Sequence, residues 1–215
     1  MIMPTSGGKT IKVNHGGKQM SKNFRFIDFE NIKNNAFHVT VEYTASGKQN
    51  IRPDIVCFVN GIPLAVIEAK RPDGHGQKGA TLDEGVSQNI RNQRNDEIPQ
   101  LFAYSQLLLS INGLEGRYGT QGTAKKFWAA WIEEDISDAE FYAIKNKKLT
   151  QDQLKSIFSY RPSSQRDWYE QLIHGGDLAV TGQDKMMMSL LSPARLLEIT
   201  RYFVLFDKKA GKIVA

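Results

Sequence analysis

Two apolar runs joined by an Asn-Gly pair stand out in the pattern of hydrophobic and polar positions. The first run covers residues 55–59 and the second covers residues 62–67, with Asn60-Gly61 between them. Asn-Gly favours a tight hairpin turn, because both residues accept the positive φ angles that such a turn requires. Each run is apolar at consecutive positions, which is typical of central strands that are covered by helices on both faces. The pattern therefore predicts a buried β-hairpin.

Alternating and helical patterns lie on both sides of this hairpin. Residues 24–29 and 37–44 alternate between apolar and polar side chains, which predicts two strands. Residues 81–84, Thr-Leu-Asp-Glu, form a capping box that predicts a helix running to about residue 95. The remaining predicted elements are a helical turn at 98–104, strands at 106–111 and 117–120, and helices beginning near residues 150, 165 and 193, the last reaching about residue 206.

These elements predict an α/β fold. A mixed central β-sheet, with the hairpin at its centre, is expected to be flanked by helices on both faces and followed by a helical C-terminal extension. We divide the chain into a poorly defined N-terminal segment at residues 1–23, a core at residues 24–135 and the helical extension at residues 136–215. The first segment is rich in glycine and lysine, and residues 9–13 predict a short edge strand.

Composition narrows the class of protein. The 215 residues are 40% hydrophobic and 24% charged, which is ordinary for a globular protein with a sizeable core. The single cysteine, Cys57, lies in a predicted strand, so we expect a small buried hydrophobe in a reducing, cytoplasmic setting. No apolar run approaches the roughly 20 residues of a membrane-spanning helix, so no membrane partner is expected.

The charge balance permits a polyanionic partner such as nucleic acid, since the net charge is +5. We do not expect this excess to be concentrated in one long basic arm, because the visible clusters, at residues 145–148 and 208–209, are short. Each cluster predicts a solvated turn rather than a phosphate contact. Phe127, Trp128 and Trp131 are predicted to pack in the core and at its edge, with stacking on nucleic-acid bases as the alternative.

Three charged residues lie at the same end of the predicted hairpin: Asp54, Glu68 and Lys70. Charges in the core of a sheet are costly unless they are paired or hold a metal. Two close carboxylates suit Mg²⁺, and the backbone carbonyl of Ala69 offers a further oxygen ligand. A metal held there would polarise a phosphodiester and activate a water molecule. Lys70 would orient that water or stabilise charge on the phosphate.

The register of the hairpin decides whether these carboxylates meet. A loop of only two residues would place Asp54 opposite Ile67, whereas one extra residue would place it opposite Glu68. We therefore expect a three-residue loop with Gly61 in a bulge, or an equivalent kink, near residues 59–63.

Pro53-Asp54, with Glu68-Ala69-Lys70 beginning fourteen positions after Asp54, resembles the PD-(D/E)xK nuclease motif. Further segments match in the same order, and together they resemble the N-terminal nuclease domain of the restriction (motor) subunit of type I restriction-modification enzymes. These segments are Phe26-Ile27-Asp28-Phe29-Glu30-Asn31, Asn34-Asn35-Ala36-Phe37, Arg52-Pro53-Asp54-Ile55-Val56, Phe58-Val59-Asn60-Gly61-Ile62-Pro63-Leu64, Ile67-Glu68-Ala69-Lys70-Arg71-Pro72, Ile98-Pro99-Gln100-Leu101-Phe102-Ala103-Tyr104 and Phe127-Trp128.

The resemblance implies a restriction-endonuclease-like core that cleaves double-stranded DNA with Mg²⁺, or with Mn²⁺ as a substitute. It implies Asp54, Glu68 and Lys70 as catalytic residues and an auxiliary or DNA-binding role for Gln88, Arg91 and Asn92. Gln88 matches the glutamine of a Gln-x-x-x-Tyr motif that many such nucleases carry on a helix, and Asn92 stands at the tyrosine position.

The resemblance also implies modification (methyltransferase) and specificity subunits as partners. ATP would serve only the full-length subunit, because this chain has no Gly-x-x-x-x-Gly-Lys-Ser/Thr motif and is expected to end before the motor. Two alternatives stay open. The first is a catalytically inactive docking or DNA-clamping domain of the same fold, which Asn92 motivates. The second is a stand-alone PD-(D/E)xK nuclease.

Overall fold

The computed structural model describes residues 9–47, 50–72 and 81–203, together with the backbone of two short strands near the C-terminus. The strands are β1 (Lys9–His15), β2 (Lys18–Phe24), β3 (Phe37–Val41), β4 (Ala45–Ser46), β5 (Asn50–Ile51), β6 (Ile55–Val59), β7 (Ile62–Ala69), β8 (Leu107–Ile111), β9 (Gly116–Gly119), β10 (Asp207–Lys209) and β11 (Lys212–Val214). The α-helices are α1 (Leu82–Asn92), α2 (Pro99–Phe102), α3 (Asp138–Lys145), α4 (Gln151–Phe158), α5 (Ser163–His174), α6 (Gly182–Leu191) and α7 (Pro193–Tyr202).

A five-stranded mixed sheet forms the centre of the fold, in the order β3-β6-β7-β8-β9. The β7–β8 pair is parallel, and the other three pairs are antiparallel. The parallel pair is joined by a crossover that contains α1 and α2, as parallel strands require. The predicted α/β fold with a mixed central sheet is confirmed. None of the described helices is long and apolar enough to cross a membrane.

Each face of the sheet carries its own hydrophobic core. On one face, residues of α1 and α2 pack with Val56, Val66, Leu108 and Trp128. On the opposite face, residues of α6 and α7 pack with Ile67, Leu109 and other strand residues. Helices therefore cover both faces, as the consecutive apolar positions predicted. Cys57 is buried as expected, and burial raises the pKa of its thiol to about 11.

The hairpin of β6 and β7 turns at Asn60 and Gly61, which have φ angles of 51° and 81°. The loop has only two residues, so the three-residue loop is not formed. The ladder pairs Phe58 with Pro63 but Cys57 with Ala65, which leaves Leu64 as an extra residue on β7. The expected bulge is confirmed, and it lies one residue beyond the predicted range of 59–63. It allows the consecutive residues Leu64 and Ala65 to enter the same core.

The strand prediction for residues 24–29 is wrong. β2 ends at Phe24, and residues 25–31 form bends without regular structure. Oδ1 of Asp28 accepts hydrogen bonds from the backbone nitrogens of Glu30 and Asn31, at 3.1 Å and 2.9 Å. This side chain supplies the backbone with partners that a strand ladder would otherwise provide, which favours a turn.

Several other boundaries differ from the predictions. β3 ends before residue 44, because Glu42 adopts a φ angle of 49°. The helix expected to end near residue 95 ends at Asn92, and α3 and α6 were not predicted. Lys208 and Lys209 lie in β10 rather than in a turn. The loop at residues 73–80, which contains His75, and residue 206 at the expected end of the last helix lie outside the described residues.

Phe127 corrects the predicted aromatic packing. Phe127 is 68% exposed, whereas the adjacent Trp128 is 8% exposed and lies in the core on the α1 face. The 3₁₀ turn at Lys125–Phe127 ends between them, so successive side chains point in different directions. Trp131 is partly buried against the opposite core. The core assignment is therefore confirmed for Trp128 and wrong for Phe127.

Candidate active site

Two acidic side chains from neighbouring strands share one face of the sheet. Asp54 directly precedes β6, and Glu68 is the next-to-last residue of β7. Ile55 pairs with Ile67, so continuing the same register by one step places Asp54 opposite Glu68. Oδ2 of Asp54 accepts a hydrogen bond of 2.7 Å from the backbone nitrogen of Ala69. The bulge in β7 therefore brings together the two carboxylates that the sequence analysis selected.

Glu68 occupies the least favourable position for a charge in this site. It is 0% exposed, and neither carboxylate oxygen has a hydrogen-bond partner within the described part of the chain. Burial raises the pKa of Glu68 to about 8, and the negative charge of Asp54 acts in the same direction, whereas Lys70 acts against it. An ionised carboxylate at this position is costly unless a cation neutralises it.

The donor set of the site fits a hard divalent cation. Asp54, Glu68 and the carbonyl of Ala69 offer oxygen atoms alone, and Mg²⁺ is held by one or two carboxylates together with water and phosphate oxygens. Among residues 9–47, 50–72 and 81–203, no group of three or more histidine, cysteine, aspartate or glutamate side chains is arranged to hold a metal. The two carboxylates and the carbonyl fill only part of a Mg²⁺ coordination sphere, so water or phosphate oxygens would complete it.

Lys70 follows β7 directly, and its side chain is 15% exposed. Its Nζ lies 4.0 Å from Oε2 of Glu68 and donates a hydrogen bond of 2.7 Å to Oε1 of Gln88 on α1. The backbone nitrogen of Lys70 donates to the carbonyl oxygen of Ile111 in β8, at 2.7 Å. The ammonium group is thus held between the sheet and α1, next to the buried acid.

Two buried polar side chains fasten α1 to β8. Oγ of Ser110 donates to the carbonyl oxygen of Leu82 at 2.8 Å, and Nδ2 of Asn89 donates to the carbonyl oxygen of Leu109 at 3.0 Å. Ser110 and Asn89 are each 0% exposed. Losing either hydrogen bond would leave a buried group without its partner, which is more costly than the net gain of the bond itself. The helix that carries Gln88 is therefore fixed against the sheet.

Gly85 lets α1 approach the sheet closely at this point. A Cβ atom added at Gly85 would lie 2.2 Å from Oγ of Ser110 and 3.5 Å from Cε of Lys70. Any side chain there would push α1 outward. The sequence analysis did not select Gly85, Asn89 or Ser110. The available signal was a glycine and an asparagine four residues apart on the apolar stripe of α1, where both side-chain types are unusual.

Arg91 and Asn92 take different positions on α1. The guanidinium of Arg91 lies 3.7 Å from the carboxylate of Glu84, is 44% exposed as a side chain, and favours the ionised form of Glu68. Asn92 is 2% exposed, and its Nδ2 has no hydrogen-bond partner among the described residues. The structure therefore groups Asp54, Glu68, Lys70 and Gln88, leaves Arg91 at the surface and encloses Asn92 in the interior.

Comparison with known proteins assigns this chain to a protein family. The model of the Type I restriction enzyme R protein N terminus matches residues 4–127, which is more than half of the chain. The five-stranded sheet, α1, α2 and the charged site at the end of β7 lie within that match, whereas α3 to α7 lie beyond it. The chain belongs to the family of type I restriction enzyme R protein N-terminal regions.

Curated relatives carry matching names. A protein of Methanocaldococcus jannaschii, described as the MjaIXP endonuclease subunit of a type I restriction enzyme, is 29% identical over 97% of this chain. The HindI endonuclease subunit of a type I restriction enzyme from Haemophilus influenzae is 27% identical over 96% of the chain. The chain spans only 18% and 16% of the lengths of these two relatives.

Proposed function

We propose that this chain is the nuclease region of a type I restriction enzyme R subunit, cleaving phosphodiester bonds of double-stranded DNA with Mg²⁺. Asp54, Glu68 and the carbonyl of Ala69 would hold the metal, and Lys70 would be the catalytic lysine. The observation that carries the proposal is Glu68, a buried carboxylate with two unbonded oxygens beside a second carboxylate. Such a group is costly in isolation and well suited to a cation.

The protein groups have distinct roles in the proposed reaction. Bound Mg²⁺ would polarise the phosphodiester and lower the pKa of a water molecule. The backbone nitrogen of Ala69 keeps the Asp54 carboxylate oriented toward the site. Lys70 donates one N–H to Gln88, which would place its positive charge and remaining donors where negative charge builds on the phosphate. Because this arrangement is fixed before substrate arrives, little reorganisation is needed during the reaction.

The larger assembly also belongs to this proposal. We expect modification (methyltransferase) and specificity subunits as partners, with DNA sequence recognition in the specificity subunit, and a cytoplasmic location. ATP would be used by other parts of the full-length R subunit. Arg91, which is half exposed, would contribute positive charge near the substrate, whereas the buried side chain of Asn92 would support the helix.

Metal binding to the 215-residue chain tests the proposal. We expect Mn²⁺ titration calorimetry to show binding that is lost in Asp54→Asn and in Glu68→Gln, since each variant removes one charged ligand. Glu134→Gln is the matched control, because Glu134 is an exposed carboxylate away from the site. Binding that survives both site variants would overturn the proposal. So would an absence of binding even with a short DNA duplex present, which is the result expected of an inactive docking domain.

A further inference from the structure

All of the net positive charge of the chain lies in its first 27 residues. The whole chain has 28 lysine and arginine residues and 23 aspartate and glutamate residues. Residues 1–27 contain five of the basic residues, at positions 9, 12, 18, 22 and 25, and no acidic residue, so residues 28–215 hold 23 of each sign. The expectation that the excess is not concentrated in one long basic arm is therefore wrong.

This basic segment forms a two-stranded antiparallel ribbon of β1 and β2. The ladder runs without interruption from Lys9 paired with Phe24 to His15 paired with Lys18. The turn is Gly16-Gly17, with φ angles of 58° and 78°. Within residues 10–26, Val13 alone is partly buried and every other residue is exposed. The ribbon therefore extends from the core, and an isolated two-stranded ribbon gains little stability from its own packing.

The register divides the side chains of the ribbon into two faces. One face, which we call the polar face, carries only polar side chains, in three cross-strand pairs; in the first of these pairs, Oγ1 of Thr10 donates a hydrogen bond of 2.7 Å to Oδ1 of Asn23. These pairs are Thr10 with Asn23, Lys12 with Ser21, and Asn14 with Gln19. The opposite face carries Ile11, Val13, His15, Lys18, Met20, Lys22 and Phe24. Positive charge is present on both faces, and neither face carries an acid.

We propose that the ribbon of β1 and β2 is a DNA-binding arm that inserts its polar face into the major groove while its lysines contact phosphates. The major groove admits a two-stranded β-ribbon, and amide side chains such as Asn14 and Gln19 match the hydrogen-bonding edges of its bases. Lysines on both faces, including Lys12 and Lys22, suit the phosphate strands on either side of the groove. The choice of duplex DNA rests on the proposed nuclease function.

Charge argues for DNA over a protein partner. A protein interface is usually depleted of charge at its centre, with lysine under-represented, whereas this ribbon carries lysines 12, 18 and 22 and no acid. The described lysines of the ribbon form no ion pair, although ion pairs occur elsewhere in the described structure. Binding to a polyanion would release counterions and supply much of the affinity.

The test measures binding of the 215-residue chain to a labelled DNA duplex by fluorescence anisotropy, in EDTA, at several salt concentrations. The ribbon variant carries Lys12→Gln, Lys18→Gln and Lys22→Gln together. The matched control is Lys147→Gln, Lys148→Gln and Lys155→Gln, which removes the same charge from exposed lysines of the helical region. A third variant with arginine at positions 12, 18 and 22 keeps the charge.

We expect the ribbon variant to bind DNA at least about tenfold more weakly than the native chain. The magnitude of the slope of log K against log salt concentration should fall by about two to three. The arginine variant should bind like the native chain, and the helical control should change little. Asn14→Ala with Gln19→Ala should weaken binding without changing the slope, because these side chains carry no charge. If the ribbon variant and the helical control weakened DNA binding equally, overall charge would explain the loss of affinity, and the inference would be overturned.

Two further outcomes would also overturn it. Unchanged DNA binding by the ribbon variant would mean that the ribbon does not bind DNA and serves another partner, such as a protein. Unchanged DNA affinity after the loss of the Asn14 and Gln19 side chains would mean that the polar face does not contact bases in the major groove. Because the assay contains no free metal, its failure is separate from failure of the nuclease proposal, which Mn²⁺ titration of the same variants reports independently.

Discussion

Nζ of Lys70 donates a hydrogen bond of 2.7 Å to Oε1 of Gln88, which joins the end of the central strand to α1. The same Nζ lies 4.0 Å from the buried carboxylate of Glu68. A lysine ammonium is a mobile point charge on a flexible chain. The amide oxygen of Gln88 reduces that mobility without adding a further negative charge beside Glu68 and Asp54. The position of α1 therefore determines where the ammonium of Lys70 lies.

The first prediction concerns this hydrogen bond and rests on the proposed nuclease function, so it is tested in the R subunit and assembly to which we propose this chain belongs. We expect Lys70→Ala to reduce DNA cleavage by about 10²- to 10³-fold, the usual effect of losing one preorganised donor. Gln88→Ala should reduce cleavage less, by about tenfold, because the lysine remains but is no longer held. Both variants should keep Mn²⁺ binding, since neither residue is a proposed ligand.

Gln171→Ala is the matched control, because Gln171 is an exposed helix glutamine distant in sequence from the site. Its cleavage rate should equal that of the native enzyme. A Gln88→Ala enzyme with an unchanged rate would show that the hydrogen bond to Lys70 has no role in the reaction.

The second prediction concerns Glu68 and pH in metal-free buffer. Burial raises the pKa of Glu68 from the 4.5 of an exposed glutamate to about 8 in the folded chain. Between these values the folded state binds more protons than the unfolded state, so stability falls as pH rises through this window. Glu68→Gln removes this loss. We therefore expect the variant to exceed the native chain in stability by a few kcal/mol near pH 8, on the order of magnitude that such a pKa shift implies, and to match it near pH 4.5.

Urea unfolding between pH 4.5 and 8.5 in EDTA measures this difference. The exposed-site variant Glu134→Gln should follow the native profile throughout. Parallel curves for Glu68→Gln and the native chain would contradict the raised pKa of Glu68. Added Mn²⁺ should stabilise the native chain and leave Glu68→Gln unchanged, because only the native site is proposed to bind the metal.

The third prediction concerns the close approach of α1 to the sheet. Replacing a glycine inside a helix with alanine ordinarily stabilises the helix by about 0.5–1 kcal/mol. At Gly85 the new Cβ would lie 2.2 Å from Oγ and 3.1 Å from Cβ of Ser110. We expect Gly85→Ala to lower the free energy of unfolding by about 1–3 kcal/mol, as overpacking does.

A double-mutant cycle isolates that clash. Ser110→Ala removes the nearer atom, so Gly85→Ala combined with Ser110→Ala should be less destabilised than the sum of the two single variants. Simple additivity in urea unfolding would mean that α1 moves freely to accept the methyl group, and the close packing would then have no energetic role.

The hairpin shows how far the sequence alone could lead. Asn60-Gly61 predicts its turn from local chemistry, and the need to pair Asp54 with Glu68 predicts a bulge from register alone. Neither argument can locate the bulge at Leu64. That choice depends on burying Leu64 and Ala65 together in the core beneath α6 and α7, helices that lie more than 100 residues away in the chain. The exact site of a bulge is therefore a tertiary property.

In other segments, the pattern of hydrophobic and polar positions did not predict the structure, because local side-chain hydrogen bonds or a mixed composition decided it. Residues 24–29 alternate like a strand, but the carboxylate of Asp28 bonds to the backbone and forms a turn. α6 contains glycine, serine and three methionines, so its helical stripe is weak in sequence. Asn89 and Ser110 bond across α1 and β8, and such a contact follows only from the packed structure.

The last prediction separates the two roles of Asn60. This residue occupies a positive-φ turn position, and its side chain also links the hairpin to the preceding segment. Nδ2 donates to the carbonyl oxygen of Phe26 and to Oδ1 of Asn35, each at 2.8 Å, and Oδ1 accepts from the backbone nitrogen of Ala36 at 2.7 Å. Asn60→Gly keeps the turn conformation and removes all three bonds.

We expect Asn60→Gly to lower the free energy of unfolding by about 1–3 kcal/mol, from three hydrogen bonds of modest net value. Asn60→Ala should lose about 1 kcal/mol more, because alanine is strained at a positive φ angle. Hydrogen exchange should rise in residues 26–36 of Asn60→Gly, while exchange in β6 and β7 stays slow. If Asn60→Gly matched the native chain in both measurements, the three bonds would be incidental, and Asn60 would serve the turn alone.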